Sequence, residues 1–339
     1  MKDYDIYELG DVVLQSQQTL RNCQLAYKTY GKLNAAKDNV IIYPTWYSGQ
    51  HYENEWLIGP GMALDPEEYF IIIPNMLGNG LSTSPSNTAA PYNASRFPKV
   101  TAYDNVRVQH RLVTEKFGIT KIKLVTGWSM GALQTYHWGC LYPDMVERIL
   151  PFQGSAKCSR HNFVFLEGAK AALQADAAFK DGWYGDTKPD KGLRAFGRVY
   201  AGWGFSQTFY REETDLKTMG YASLEDFLVG FWEGLFLERD PNNLLTMLWT
   251  WQNGDISNNE VFKGDFKAAL GAIKAKAIVM PASTDLYFPP EDNVIEVEHM
   301  PNAELRVVDT LWGHFAGGPG TSPADIKVLD EALRELLAS

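Results

Sequence analysis

Residues 121–142 read KIKLVTGWSMGALQTYHWGCLY, and they join a short apolar run to a longer helical pattern. Residues 122–126 are mostly apolar with β-branched side chains, which favours a buried strand. From Ala132 onward, residues of one helical face recur at three- and four-residue spacing, namely Leu133, Tyr136, His137 and Cys140. Pro143 follows, as proline does just past a helix end. The stretch therefore predicts a strand that turns sharply into a helix.

The corner of this turn is residues 127–131, Gly-Trp-Ser-Met-Gly. Small residues two positions before and after the corner let strand and helix approach closely, and the corner residue is forced into a strained conformation. This G-x-S-x-G pattern is the nucleophile elbow, which exposes the Ser129 oxygen at the mouth of the sheet, over the positive end of the following helix. An ordinary strand-to-helix turn is the alternative, but the predicted strand and helix favour a catalytic serine.

Length and composition bound the class of protein. The chain has 339 residues, enough for one large domain with an inserted subdomain. Its formal net charge of -10 argues against nucleic acid or an anionic membrane as a main partner. The start, MKDYDIYELG, does not read as a secretory signal, and no apolar run approaches about 18 residues. Since Cys23, Cys140 and Cys158 form no C-x-x-C pair, we expect reduced thiols in a cytoplasmic protein.

Predicted strands alternate with predicted helices in both outer parts of the chain. Residues 6–14 and 24–30 alternate apolar and polar, which predicts an antiparallel hairpin. Helical periodicity covers residues 102–117, and a final helix should begin after Ser322. Continuous apolar runs predict buried strands at residues 40–43, 70–74, 146–152, 277–281 and 305–309. An α/β fold with a mostly parallel central sheet flanked by helices follows.

Residues 160–272 differ in character, because they are rich in aromatics and helix formers and contain no convincing strand. We interpret this part as an inserted helical lid. The predicted organisation is a core of residues 1–158 and 275–339 with a lid subdomain of residues 159–274.

A catalytic serine needs a base that takes its proton and a carboxylate that holds the base in one tautomer. The expected chain order is serine, acid, histidine. Of the six histidines, His314 is the one in a loop just past a predicted strand, and a surface-loop histidine is the alternative. For the acid we prefer Asp285, which follows the strand ending at Pro281. The rival Asp309 lies only five residues before His314, where it would cap the same loop.

Acyl transfer also needs two donors for the developing oxyanion. One should be the amide of Met130, the residue after the serine, and the other should come from an early strand-to-helix loop. Residues 44–49 form that loop, and we favour the Tyr47 amide. A simple turn is the alternative, since no HGGG pattern is present.

These motifs resemble the homoserine O-acetyltransferase family of α/β-hydrolase fold enzymes, over nearly the whole chain. Residues 27–33 are similar to the family's Y-x-T-Y-G-x-L, and residues 58–70 to its G-P-G, A-L-D and Y-F pieces. Its G-G-S-M-G-G-M-Q is GWSMGALQ at residues 127–134, and its D-x-L-F-P is DLYFP at residues 285–289. The resemblance implies an α/β-hydrolase fold with an inserted helical lid, acyl-enzyme chemistry, and often a homodimer joined through lid helices. It also implies a catalytic triad, made of Ser129, Asp285 and His314.

The departures from the family surround the acceptor. Its H-A-L-T-G is TWYSG at residues 45–49, and its G-H-D is Gly-His-Phe at residues 313–315, which loses an acid beside the base. Aromatics therefore replace groups expected to hold the charged ends of homoserine. Arg198 is a candidate for binding a substrate carboxylate, and an exposed lid arginine is the equal alternative. An aromatic-walled pocket selects apolar acyl or alcohol groups.

Two functions stay open. The favoured one is a hydrolase of short-chain, acetyl-type carboxyl esters that works through acyl-Ser129. The alternative is an O-acyltransferase that moves an acyl group from acyl-CoA to homoserine or another small alcohol. A binding module would be expected to have a broken triad, whereas all three members are present. We expect no metal site, because no histidine pair has ligand spacing with acids nearby, and no cofactor, with acyl-CoA a co-substrate only for a transferase.

Overall fold

The structure, a computed structural model, describes residues 2–339 and is built around one sheet. Its strands are β1 (Asp5–Val13), β2 (Thr19–Tyr30), β3 (Val40–Ile42), β4 (Phe70–Pro74), β5 (Leu124–Trp128), β6 (Arg148–Phe152), β7 (Lys276–Val279) and β8 (Ala303–Leu305). All eight form a single sheet in the order β1-β2-β4-β3-β5-β6-β7-β8. β1 and β2 are antiparallel to their neighbours, and β3 to β8 run parallel. The predicted mostly parallel sheet is confirmed.

The edges of the sheet are irregular. The register of β1 against β2 shifts between Glu8 and Gly10 and again between Gly10 and Val12. At the other edge the predicted strand at residues 305–309 is displaced, because β8 ends at Leu305 and Val308 makes only an isolated bridge. The chain beyond β8 still follows its neighbour, since the Arg306 amide donates to the Val279 carbonyl at 2.9 Å. The apolar residues after Leu305 therefore indicate that the chain stays beside the sheet, but they do not show where its regular hydrogen-bond ladder ends.

Helices cover both faces of the sheet. α1 (Ala102–Arg111) continues as a π-helical turn at Leu112–Lys116, and α2 (Met130–Leu141) follows the elbow. After β6 come α3 (Arg160–Gln174), α4 (Asp190–Gly204), α5 (Gln207–Arg211), α6 (Thr214–Lys217), α7 (Leu224–Phe227), a π-helical turn at Leu228–Glu233, α8 (Gly234–Leu237), α9 (Pro241–Gln252) and α10 (Phe266–Gly271). α11 (Pro290–Val297) lies between β7 and β8, and α12 (Pro323–Ala338) ends the chain. Short 3-10 turns occur at His51–Leu57, Ala94–Arg96, Ala177–Gly182 and Gly313–Phe315.

The residues between β6 and β7 are thus helical, as expected for the segment interpreted as a lid, while its proposed boundaries stay a prediction. Among residues 2–339, no helix is both long and apolar enough to cross a bilayer.

Successive residues of β3 belong to different cores. Ile41 packs in the core that includes α3, α4 and α12, whereas Val40 and Ile42 pack in the core that includes α1 and α2. Alternate side chains of a strand point to opposite faces, so both faces of this strand are buried. That double burial explains why the central parallel strands read as continuous apolar runs rather than as alternating ones.

The elbow between β5 and α2 is packed without spare room. A Cβ atom on Gly154 would lie 2.6 Å from the Ser129 carbonyl oxygen and 2.5 Å from the Ala132 Cβ. The Ser129 amide donates to the Phe152 carbonyl at 3.1 Å, which ties the elbow to β6. Glycine at position 154 therefore allows the loop after β6 to press against the elbow.

We expect Gly154→Ala to lower the free energy of unfolding by about 1–3 kcal/mol, because the added methyl group overpacks this contact. Urea denaturation measures the change. The matched control is Gly168→Ala in α3, where a Cβ meets no atom within 4 Å and should stabilise the helix by about 0.5–1 kcal/mol. A Gly154→Ala protein as stable as the wild type would contradict the close packing of the elbow.

Candidate active site

Ser129 lies between β5 and α2 with a positive φ, at φ 58° and ψ −122°. A non-glycine residue rarely adopts a positive φ, and such strain concentrates at functional sites. The side chain is buried, with 3% of its surface exposed. The turn predicted at residues 127–131 therefore has the strained backbone expected of a nucleophile elbow.

Asp285 and His314 meet in the loops that follow β7 and β8. The Asp285 Oδ2 and His314 Nδ1 atoms are 2.8 Å apart, and both side chains are buried. The other oxygen, Oδ1, accepts hydrogen bonds from the amides of Tyr287 at 2.8 Å and Phe288 at 3.1 Å. An acceptor at Nδ1 holds the ring proton there and leaves Nε2 able to accept a proton. This is the arrangement that a general base requires.

Asp309, the rival acid, lies elsewhere. It is exposed and accepts a hydrogen bond from the Ser283 hydroxyl at 3.2 Å. The Thr284 hydroxyl donates to the Thr310 carbonyl at 2.8 Å, which ties the two loops together. The structure thus brings Asp285, and not Asp309, to His314.

Aromatic rings fix the imidazole of His314. The Trp128 Nε1 atom donates to the His314 carbonyl at 3.0 Å, and the two rings stack with centroids 4.8 Å apart. The Tyr287 ring meets the imidazole edge-on at 4.7 Å. Trp128, the residue before the candidate serine, therefore also holds the candidate base His314 in place. The sequence did not reveal this role.

Ser129 and His314 line one small cavity of about 40 Å³. The remaining walls are mostly aromatic, from Trp46, Tyr47, Trp128, Tyr200, Trp232, Phe236, Trp251, Tyr287 and Phe315, with Ser48 and Leu235. His314 is the one readily ionised side chain among the lining residues. No hydrogen bond joins the Ser129 hydroxyl to His314 in the free protein, and such catalytic bonds often tighten only when substrate binds.

The two candidate oxyanion donors follow neighbouring parallel strands, Tyr47 in the loop after β3 and Met130 at the start of α2 after β5. Neither the Tyr47 amide nor the Met130 amide has an acceptor among residues 2–339. The loop that carries Tyr47 is held in place by the Gln134 amide group, which donates to the Thr45 carbonyl at 2.9 Å, and by Asn79, which donates to the Gly49 carbonyl at 3.0 Å. Free amides in a fixed loop are what an oxyanion site needs.

Arg198 does not reach the cavity. Its guanidinium binds Glu233 Oε1 at 2.6 Å and Glu225 Oε1 at 2.5 Å, and 41% of its side chain is exposed. These carboxylates raise the pKa of Arg198 above its usual value. The preceding residue, Gly197, packs against the Trp232 backbone instead, so Arg198 points to another side of α4. The predicted contact between Arg198 and a substrate carboxylate therefore lacks support. The position of Arg198 matches the alternative, an exposed arginine of the lid segment.

A buried carboxyl group supports the loop behind the elbow. Glu296 accepts hydrogen bonds from the Ala156 amide at 2.6 Å and from the Asn293 side chain at 2.7 Å. Asn293 also donates to the Gly154 carbonyl at 3.0 Å. Burial raises the pKa of Glu296 to about 7. No motif singles out Glu296 in the sequence, because its importance comes only from this packing.

Sequence reasoning also missed the individual aromatic residues of the cavity. The abundance of tryptophan in residues 160–272 was the available signal, but Trp183 is exposed while Trp232 and Trp251 line the cavity. Within residues 2–339, no group of three or more His, Cys, Asp or Glu side chains is placed to hold a metal ion.

Comparison with known proteins places this chain in a family. The sequence profile described as the alpha/beta hydrolase fold matches residues 39–320. An ethyl acetate hydrolase of Pseudomonas veronii is 41% identical over 99% of this chain and 96% of its own. The crystal structure of an acetylester hydrolase from Corynebacterium glutamicum is 42% identical, covers 99% of this chain and 96% of that chain, and superimposes with a TM-score of 0.95.

The resemblance to homoserine O-acetyltransferases is confirmed at lower identity. The enzyme of that name from Chlorobium chlorochromatii is 31% identical over 88% of this chain and 86% of its own. The chain therefore belongs to the α/β-hydrolase fold family of enzymes, as a relative of acetyl-ester hydrolases and a more divergent relative of homoserine O-acetyltransferases.

Proposed function

We propose that this protein is a serine hydrolase of short-chain, acetyl-type carboxyl esters. The observation that carries the proposal is the small aromatic cavity that Ser129 shares with the hydrogen-bonded pair of His314 and Asp285. The named activities of relatives that are 41–42% identical over nearly their full length support the same reaction.

In the proposed first half-reaction, the Ser129 oxygen attacks the ester carbonyl carbon and its proton moves to His314 Nε2. Asp285 holds the imidazole through Nδ1, and the amides of Met130 and Tyr47 bind the oxyanion. The tetrahedral intermediate then collapses. The bond to the alkoxy oxygen breaks, and the departing oxygen takes the proton from His314 as the alcohol leaves, so that acyl-Ser129 remains.

In the second half-reaction, water attacks acyl-Ser129 and gives its proton to His314. Collapse of the second tetrahedral intermediate breaks the bond to Ser129, which takes the proton back as the acid leaves. Residues of this chain supply every group in this cycle, so we propose that no cofactor is required.

Hydrolysis is favoured over acyl transfer because, in the described part of the chain, no Asp, Glu, Lys or Arg side chain lines the cavity to pair with a charged acceptor. Homoserine carries an ammonium and a carboxylate group, whose burial costs free energy unless each is paired. Most of the side chains that line the cavity are aromatic, and Arg198 is ion-paired to Glu225 and Glu233 outside it. Transfer from acyl-CoA to a small alcohol is therefore the second candidate, supported by the relatives that are 31% identical.

We also propose a cytoplasmic homodimer joined through the lid. Exposed apolar side chains on α3, Phe163 and Val164, and on or just after α7, Leu224 and Val229, support a lid-mediated contact. Exposed apolar side chains can mark an interface between copies of a protein.

Removal of the proposed nucleophile provides the first test. We expect Ser129→Ala to lower kcat for release of p-nitrophenol from p-nitrophenyl acetate by at least about 10⁴-fold, because the substitution removes the oxygen proposed to form the acyl-enzyme. The absorbance of p-nitrophenol measures the rate. His299→Gln, which changes a histidine outside the cavity, should keep wild-type activity. Comparable turnover by Ser129→Ala would remove the proposed nucleophile.

The cavity volume predicts selectivity for the acyl chain. A volume of 40 Å³ holds about three water-sized groups, which matches the three non-hydrogen atoms of an acetyl group. We expect kcat/KM to fall at least about tenfold from p-nitrophenyl acetate to p-nitrophenyl hexanoate, since four more carbons overpack the small cavity. The leaving group is the same in both esters, so its chemistry is controlled. Equal rates would show that the cavity does not receive the acyl group.

Acyl transfer is tested with acetyl-CoA. We expect incubation with homoserine to release no more free thiol than incubation without it, because no charged group in the cavity pairs with the acceptor. A thiol reagent measures CoA, and hydrolysis of p-nitrophenyl acetate by the same preparation controls for active enzyme. Strong homoserine-dependent thiol release would defeat the hydrolase in favour of the transferase.

A further inference from the structure

Several buried hydrogen-bond donors of the cavity have no acceptor within residues 2–339. They are the hydroxyl of Tyr200 and the indole nitrogens of Trp46, Trp232 and Trp251. A buried polar group without a partner is destabilising, and each such group in a native protein calls for an explanation. A ligand that brings acceptor oxygens and no donors would complement this set.

Tyr200 is the best fixed of these residues. It lies on α4, and its ring stacks on Tyr47 with centroids 5.9 Å apart and an angle of 7°, and on Phe196 at 5.0 Å and 23°. Its carbonyl accepts a hydrogen bond from the Tyr287 hydroxyl at 3.3 Å. Only 5% of its surface is exposed, so the hydroxyl cannot turn out to bulk water.

The nearest polar neighbour does not satisfy this hydroxyl. Tyr47 donates its own proton to the Leu244 carbonyl at 3.1 Å, and its oxygen lies near the Tyr200 hydroxyl without forming a regular hydrogen bond with it. Burial raises the pKa of Tyr200 well above its usual value, and the neighbouring Tyr47 and Tyr287 raise it further. Tyr200 therefore keeps its proton and is available as a donor.

We propose that the Tyr200 hydroxyl donates a hydrogen bond to the alkoxy oxygen of the bound ester, and so assists departure of the alcohol. This inference rests on the proposed hydrolase function. An ester offers two acceptor oxygens and no donor. The proposed amides of Met130 and Tyr47 take the carbonyl oxygen, which leaves the alkoxy oxygen for the lid.

The alkoxy oxygen gains negative charge as its bond to the acyl carbon breaks. A donor placed there binds more strongly in the transition state than in the bound substrate, so it raises kcat as well as kcat/KM. The benefit grows as the leaving alcohol becomes a weaker acid, because more charge then needs stabilisation. Ethanol gains much from such a donor, whereas p-nitrophenol, whose anion is stable by itself, gains little.

The test compares Tyr200→Phe with wild type on ethyl acetate and on p-nitrophenyl acetate. We expect kcat/KM for ethyl acetate to fall about 10- to 100-fold, with most of the loss in kcat, because one hydrogen bond to a developing charge is removed. The loss on p-nitrophenyl acetate should be less than about threefold. Titration of released acid measures the first reaction and absorbance the second.

The matched control is Tyr43→Phe. The Tyr43 hydroxyl is also buried and has no hydrogen-bond partner among residues 2–339, but Tyr43 does not line the cavity. Both substitutions remove an unsatisfied group, so neither should lower Tm, and only Tyr200→Phe should change the kinetics.

Equal losses on the two esters, or no loss on ethyl acetate, would overturn the proposal. A fall in Tm of Tyr200→Phe below that of Tyr43→Phe would do the same, because it would show that the hydroxyl supports the fold. Wild-type hydrolysis that disappears in Ser129→Ala establishes the hydrolase function independently. A kinetically silent Tyr200→Phe would then contradict the role of Tyr200 alone.

Discussion

The positive φ of Ser129 is the constraint on which the site depends. A serine at φ 58° is strained, and the structure keeps it there because β5 is fixed between β3 and β6 and because α2 starts at the next residue. Ser48, after β3, and Gln153, after β6, also have positive φ, at 61° and 41°. Strain in three loops at neighbouring strand ends persists only where the surroundings determine each loop. Glu296 and Asn293 contribute to that support from behind the elbow.

The sheet was predictable because burial on both faces leaves continuous apolar runs, and β4 has the predicted bounds. The elbow was predictable for a related reason, since only small residues fit at positions 127 and 131. Asp285 and His314 could be chosen because the carboxyl ends of parallel strands meet at one edge of the sheet. The regular part of β8 could not be located, since the apolar character continues past Leu305 while the ladder does not.

Arg198 shows where such reasoning fails. The direction in which a helical arginine points is set by packing. On α4, Gly197 packs against the Trp232 backbone, whereas the next residue, Arg198, lies on an exposed side of the helix. The aromatic residues of the cavity are equally hard to predict, because composition gives their number but not the direction in which each side chain points. The aromatic wall, once located, argues for a reaction between uncharged molecules. It also explains Gly204, where a Cβ atom would collide with the Trp232 ring that lines the cavity.

The two outer strands bear on how copies of this protein behave at high concentration. A long, flat border strand exposes a row of free backbone groups that can recruit another chain into an extended sheet. Here one border is interrupted twice, around Gly10, and the other is a three-residue strand followed by Arg306, which is ion-paired to Glu304 and Glu335. Kinks and charge on these borders disfavour sheet-to-sheet aggregation, so neither border offers a long template on which another chain could extend the sheet.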